Sequence, residues 1–127
     1  MDVRDAMSES VLTIGPGHTI REASRAMATR KVGAAVVVDP DGVGAGIVTE
    51  RDILRAIADG VDPDQELVGA HLTSEIVYAA PTWTLLDAAE AMLRGGFRHL
   101  VVLDAGEVVG VLSVRDIVRH WHADRVG

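Results

Sequence analysis

Apolar and polar positions along this chain form blocks, and the blocks recur in the same order. Behind Thr19, the residues Ile20, Ala23 and Met27 repeat at helical spacing, and behind Thr84 the same spacing carries Leu85, Ala88 and Met92. Thr is a good helix N-cap, and Thr19 is followed three residues later by Glu22, which makes a capping box. A continuous apolar run comes next, over residues 34–38 and again over 100–103. Its length and β-branched content predict a strand buried on both faces. Short polar turns at 39–42 and 104–107 lead into second apolar runs, 43–48 and 108–112, so each half predicts a hairpin. A second helix is expected over 50–59, closed by Gly60, and its counterpart over 114–122. With a short strand ahead of each first helix, the order is β-α-β-β-α, twice.

The two halves match residue by residue. A shift of 65 positions lays the stretch from Val3 to Pro16 on that from Val68 to Pro81, and carries Thr19 to Thr84, Ala23 to Ala88 and Met27 to Met92. After one deletion in the second hairpin turn the shift becomes 64 and carries Gly46 to Gly110 and Asp52 to Asp116. The alignment runs almost from end to end, so the chain is one unit written twice. The expected boundaries are a first repeat at 1–60, a linker at 61–66 and a second repeat at 67–127. Half a chain, roughly 60 residues, is marginal as an independent domain, so the two repeats are expected to share one core.

Composition narrows the chemistry. The 127 residues are 48% apolar, yet hold only two Trp, one Tyr and one Phe, so the core is built from Val, Ile, Leu, Ala and Met. A net charge of −7 argues against a nucleic-acid partner and against an anionic membrane surface. With no Cys there is neither a disulfide framework nor a thiolate metal site. The first residues lack the apolar run of a signal peptide and no apolar stretch is long enough to span a bilayer, so a soluble cytoplasmic protein is expected. Arg-rich, Lys-poor usage with abundant Ala, Val and Gly suggests a GC-rich, bacterial genome.

The most informative stretch is "GIVTERDI", which recurs as "GVLSVRDI". In both, a strand ends, a hydroxyl residue (Thr49, Ser113) stands at the helix N-cap, and Arg51-Asp52 or Arg115-Asp116 follows within the first turn. A helix N-terminus offers unpaired N–H groups to a phosphate, the hydroxyl adds a hydrogen bond, and an Arg adds charge. A carboxylate with two acceptor oxygens suits a vicinal diol such as ribose. The same T/S-x-x-D spacing also caps a helix with no ligand present, and on spacing alone both readings stand.

Repeat length, element order and the doubled T/S-x-R-D junction, with the "DAM" opening and "VVVD" strand, resemble the cystathionine-β-synthase (CBS) domain family. Two such domains in tandem form a Bateman module. The resemblance implies an α/β (α+β) fold in which the repeats pack through their sheets about a pseudo-twofold axis, leaving two clefts. It implies an adenosine-containing ligand (AMP, ADP, ATP or S-adenosylmethionine) in those clefts, no catalytic cofactor, and often a disc-like homodimer. Asp52 and Asp116 would meet the ribose, and Thr49 and Ser113 the phosphate, with Arg51 and Arg115 beside them. The adenine wall would come from Thr13, Ile14, Ala34 and Ala35 in one copy and Tyr78, Ala79, Arg98 and His99 in the other. Many relatives carry Pro in the buried strand where Val36 and Val101 stand here. The implied role is sensing, with the regulated partner on another chain. The alternative is a ligand-independent dimeric scaffold whose T/S-x-R-D motifs are only helix caps.

Other readings are weaker. His120 and His122 stand two apart on a helix, facing opposite sides, unlike the i, i+4 pairs that share a metal, so no metal site is expected. No nucleophile elbow or phosphate-cradling loop is present, so no catalytic residues are expected. Asp5, replaced by Ala70 in the second copy, is expected to cap a short helix. Trp83 is expected to be a partly exposed contact surface.

Overall fold

The structure, a computed structural model, describes residues 1–39, 45–73 and 77–126. Two compact units emerge, one made of Met1–Val11 with Val77–Gly127 and the other of Leu12–Ile76. The second of these contains β1 (Thr13–Ile14), α2 (Ile20–Arg30), β2 (Ala34–Val38), β3 (Ala45–Thr49), α3 (Glu50–Ala58) and a 3-10 turn (Val68–Ala70), and the first begins with α1 (Val3–Ala6). That first unit continues with β4 (Tyr78–Ala79), α4 (Leu85–Gly95), β5 (His99–Asp104), β6 (Glu107–Ser113) and α5 (Val114–Val126). Each unit holds a three-stranded sheet, β1-β2-β3 or β4-β5-β6, with the short strand parallel to the central one and the hairpin partner antiparallel.

The expected elements form where capping and periodicity place them. Thr19 and Glu22 close a reciprocal capping box, each backbone N–H reaching the other's side chain at 3.1 Å, and Thr84 with Asp87 repeats it at 3.0 and 3.1 Å. The helical stripes are buried as read: Ile20, Ala23 and Met27 below one sheet, Ala88 and Met92 below the other. The second hairpin turns at Ala105-Gly106, both with positive φ (52° and 81°), between Asp104 and Glu107. The first hairpin turn, expected at 39–42, lies largely outside the described residues. One difference concerns α5. The last helix continues to Val126, beyond the expected end, because no Gly or Pro interrupts it. Trp83 is partly exposed, as expected, and its buried part packs on the core cluster alongside Val77, Leu85 and Ile117.

Each core is completed by the opening segment of the other repeat. The segment carrying α1 packs on the strands and helices of the second repeat, and the 3-10 turn at Val68–Ala70 packs on those of the first. The contacts are equivalent pair by pair. Val3 N–H donates to Trp83 O (2.7 Å) as Val68 N–H does to His18 O (2.8 Å). Ser8 bridges Val111 as Thr73 bridges Ile47, and Val3 and Val68 are both fully buried. The Asp5 carboxylate takes the Asp2 N–H at 2.9 Å and caps α1, whereas Ala70 stands in a 3-10 turn. The glycine that recurs ahead of each junction, Gly46 and Gly110, has a packing role. A Cβ on Gly46 would meet Leu72 Cδ1 at 2.7 Å, and one on Gly110 would meet Met7 Sδ at 2.5 Å, so each glycine seats the apolar residue of the exchanged segment. No helix among the described residues is long and apolar enough to cross a membrane.

Candidate functional site

The two strand-to-helix junctions are built alike. β3 runs directly into α3 at Thr49, and β6 into α5 after Ser113. The first helical N–H is taken by the carbonyl opposite: Glu50 N–H donates to Gly33 O and Val114 N–H to Arg98 O, both at 2.9 Å. Asp52 accepts the Thr49 N–H at 2.9 Å while its own N–H donates to Thr49 Oγ1 at 3.3 Å. Asp116 accepts the Ser113 N–H at 2.8 Å and its N–H donates to Ser113 Oγ at 3.1 Å. Both motifs are therefore capping boxes with Asp in the Glu position.

Beyond the cap, the junctions diverge. Asp52 also accepts from the Thr49 hydroxyl (3.1 Å) and from the Thr73 hydroxyl, which lies 3.2 Å from Oδ1 and 3.1 Å from Oδ2. Asp116 instead has Arg119 at 3.5 Å, an exposed guanidinium of the next helical turn, while its own side chain is only 14% exposed. A surface pair of this kind is worth at most ~1 kcal/mol and yields readily to a better partner. Thr73 was not among the residues singled out from the sequence. The signal was there, since Ser8 and Thr73 align under the repeat shift and both carry hydroxyls.

Strand alternation sorts the remaining candidates. Ile14 and Ala35 lie in one core, and Ala79 in the other, so only their backbones face anything else. Their neighbours point to the opposite face. Ala34 is the cross-strand partner of Thr49, and His99 that of Ser113, so these two stand beside the junction hydroxyls. Thr13 and Tyr78 sit one strand further over, beside Val36 and Val101. Arg51, Arg115 and Arg98 are exposed. The structure thus groups Ala34, Thr49 and Asp52 with Thr73, and His99, Ser113 and Asp116 with Arg98 and Arg119. Of the C-terminal histidines, His120 Nδ1 donates to the Asp116 carbonyl at 3.1 Å, an intrahelical bond. Among the described residues no cluster of three or more His, Cys, Asp or Glu is placed to hold a metal.

Comparison with known proteins supplies the family. The CBS-domain family model matches residues 3–59 and 64–123. The CBS domain-containing protein YhcV of Bacillus subtilis is 37% identical over 116 residues, covering 91% of this chain and 81% of YhcV. Crystallised CBS-domain protein ATU1752 from Agrobacterium tumefaciens is 36% identical with a TM-score of 0.85, covering 93% of this chain and 91% of that one. CBS domain protein PAE2072 from Pyrobaculum aerophilum, solved in complex with AMP, is 32% identical with a TM-score of 0.83, covering 97% of this chain and 99% of its own. Other curated relatives are longer, and the chain spans 43% of the length of one and about a fifth of others. Two family matches, a duplicated T/S-x-R-D junction and a mixed α and β fold of two three-stranded sheets agree: the chain belongs to the CBS-domain family and carries two CBS repeats in tandem.

Proposed function

We propose that this chain is a non-catalytic regulatory module that binds an adenosine-containing ligand, AMP, ADP, ATP or S-adenosylmethionine, at its strand-to-helix junctions and acts as a metabolite or energy sensor. One observation carries the reading: the hydroxyl-and-carboxylate junction is built twice in register, in a chain 32% identical to a protein solved with AMP. A helix N-terminus with a hydroxyl at its cap suits a phosphate, and the carboxylate suits a ribose diol. The regulated protein is another chain or an attached segment.

The module is proposed to act as a homodimer. Leu54 (69% exposed) and Ile57 (48%) on α3 occupy the positions that Val118 (56%) and Trp121 (57%) occupy on α5, so both repeats present an apolar face of the same kind. Repeated apolar stripes on surface helices favour association with a second copy. Light scattering behind size exclusion checks this, with a dimer expected for the wild type and a monomer for Leu54→Glu with Trp121→Glu.

Thermal unfolding in the presence of AMP, ADP, ATP, S-adenosylmethionine and NADH tests the ligand. At about 100 times the dissociation constant, a binder adds ~2.7 kcal/mol, a rise of roughly 8 °C for a domain of this size. Flat curves across the panel favour the scaffold reading, in which the capping boxes serve only to start the helices.

A further inference from the structure

The geometry points to unequal junctions: Thr73 acts as a built-in hydroxyl that occupies Asp52, leaving Asp116 as the site that takes a diol first. This rests on the adenosine-ligand reading above. Ribose recognition needs a carboxylate whose oxygens are open to outside hydroxyls. At Asp52 one hydroxyl already lies between both oxygens, 3.1 and 3.2 Å away, and the Thr49 hydroxyl and N–H take Oδ2 as well. Four lone-pair positions on a carboxylate are nearly filled by these donors.

Thr73 is also held in place. Its backbone exchanges two hydrogen bonds with Ile47, 2.8 and 3.3 Å, and its β-branch restricts χ1. A nucleotide entering at Asp52 must displace a fixed intramolecular donor. At Asp116 the aligned residue is Ser8, whose backbone bridges Val111 in the same way. Its side chain is exposed, and no Ser8 hydroxyl bond to Asp116 is made among the described residues. Asp116 keeps one cap bond and a 3.5 Å contact from an Arg119 that is 65% exposed. Arg119 can swing toward a phosphate without unfolding anything. The same duplicated motif therefore gives one ready site and one held shut by Thr73.

Isothermal titration of the full chain with AMP tests this, with fold checked by circular dichroism and urea midpoint for every variant. The expected result is about one AMP per chain for the wild type, weakened at least 30-fold in Asp116→Ala. Thr73→Val is expected to add a second binding event, which Asp52→Ala in the Thr73→Val background removes. Thr73→Ser, which keeps the hydroxyl but frees its rotamer, gives an intermediate second event and serves should the Val variant fold poorly. Two equal sites in the wild type, loss of wild-type binding on Asp52→Ala rather than Asp116→Ala, or a Thr73→Val titration identical to wild type would each overturn the inequality while leaving the ligand reading intact. No AMP binding by any of the proteins would overturn both together.

Discussion

Replacing Gly110 by Ala probes the seat of the exchanged N-terminal segment. A Cβ there falls 2.5 Å from Met7 Sδ, 2.9 Å from Met7 Cγ and 3.0 Å from the Ser8 carbonyl oxygen. The thioether is flexible and can move aside. The carbonyl cannot, because Ser8 exchanges hydrogen bonds of 2.9 and 3.0 Å with Val111. Overpacking against a fixed atom costs about 1–3 kcal/mol, offset by the ~0.5–1 kcal/mol that Ala gains over Gly inside a strand. The net expectation is a loss of about 1 kcal/mol. At Gly46 the new Cβ meets Leu72 Cδ1 at 2.7 Å and then nothing nearer than 3.5 Å, so Gly46→Ala should cost about half as much or less. With a urea m-value of about 2 kcal/mol/M, Gly110→Ala lowers the midpoint by roughly 0.5 M at unchanged m. Because the fixed carbonyl sets the cost, placing it in a Met7→Ala background should leave most of the loss in place, the two changes adding to within ~0.5 kcal/mol. A neutral Gly110→Ala, or full recovery in the Met7→Ala background, would refute the reasoning.

Three other outcomes follow from backbone and charge. Lys31 ends α2 at φ 56°, where the other repeat has Gly96 at φ 71°; Lys31→Gly should raise stability by about 1 kcal/mol and Gly96→Ala lower it by about as much, read as opposite shifts in urea midpoint. Ala105 occupies the first position of a two-residue turn in which both residues have positive φ, so Ala105→Asn should stabilise by ~0.5–1 kcal/mol and Ala105→Val should destabilise. The Glu22 carboxylate is held below its ordinary value of 4.5 chiefly by the Thr19 N–H, and Asp64 below 3.8 by its bond to Arg21. Depressed folded values mean stabilisation that is full above the unfolded pKa and lost as pH falls through the folded one. Urea midpoints should therefore drop more steeply below about pH 4.5 in the wild type than in Glu22→Gln with Asp64→Asn; parallel curves would contradict this.

Much of this fold is readable in advance because its signals are local. Thr19 and Thr84 cap helices through bonds to residues three places on, and the Ile20, Ala23 and Met27 stripe reports one buried face. Periodicity says which face is apolar but not what covers it. That is why the exchange of Val3 and Val68 between repeats, the core neighbours of Trp83 and the seats under Met7 and Leu72 came only with tertiary structure. Thr49, Asp52, Ser113 and Asp116 are contiguous in sequence and were legible. Thr73 reaches Asp52 from 21 residues away, through a bridge no local pattern announces. Thr13 and Ile14 look equivalent in sequence, yet strand alternation sends one into the core and the other to the junction face.

Equilibrium binding of AMP to the wild type and to Asp52→Ala with Asp116→Ala, with urea stability measured in parallel, tests most directly whether the repeated junction serves a ligand. Saturable binding by the wild type that disappears in a folded double variant is the predicted result. A wild type that binds no AMP, with a double variant that loses only the stability expected of two missing helix caps, about 1 kcal/mol each, would contradict it.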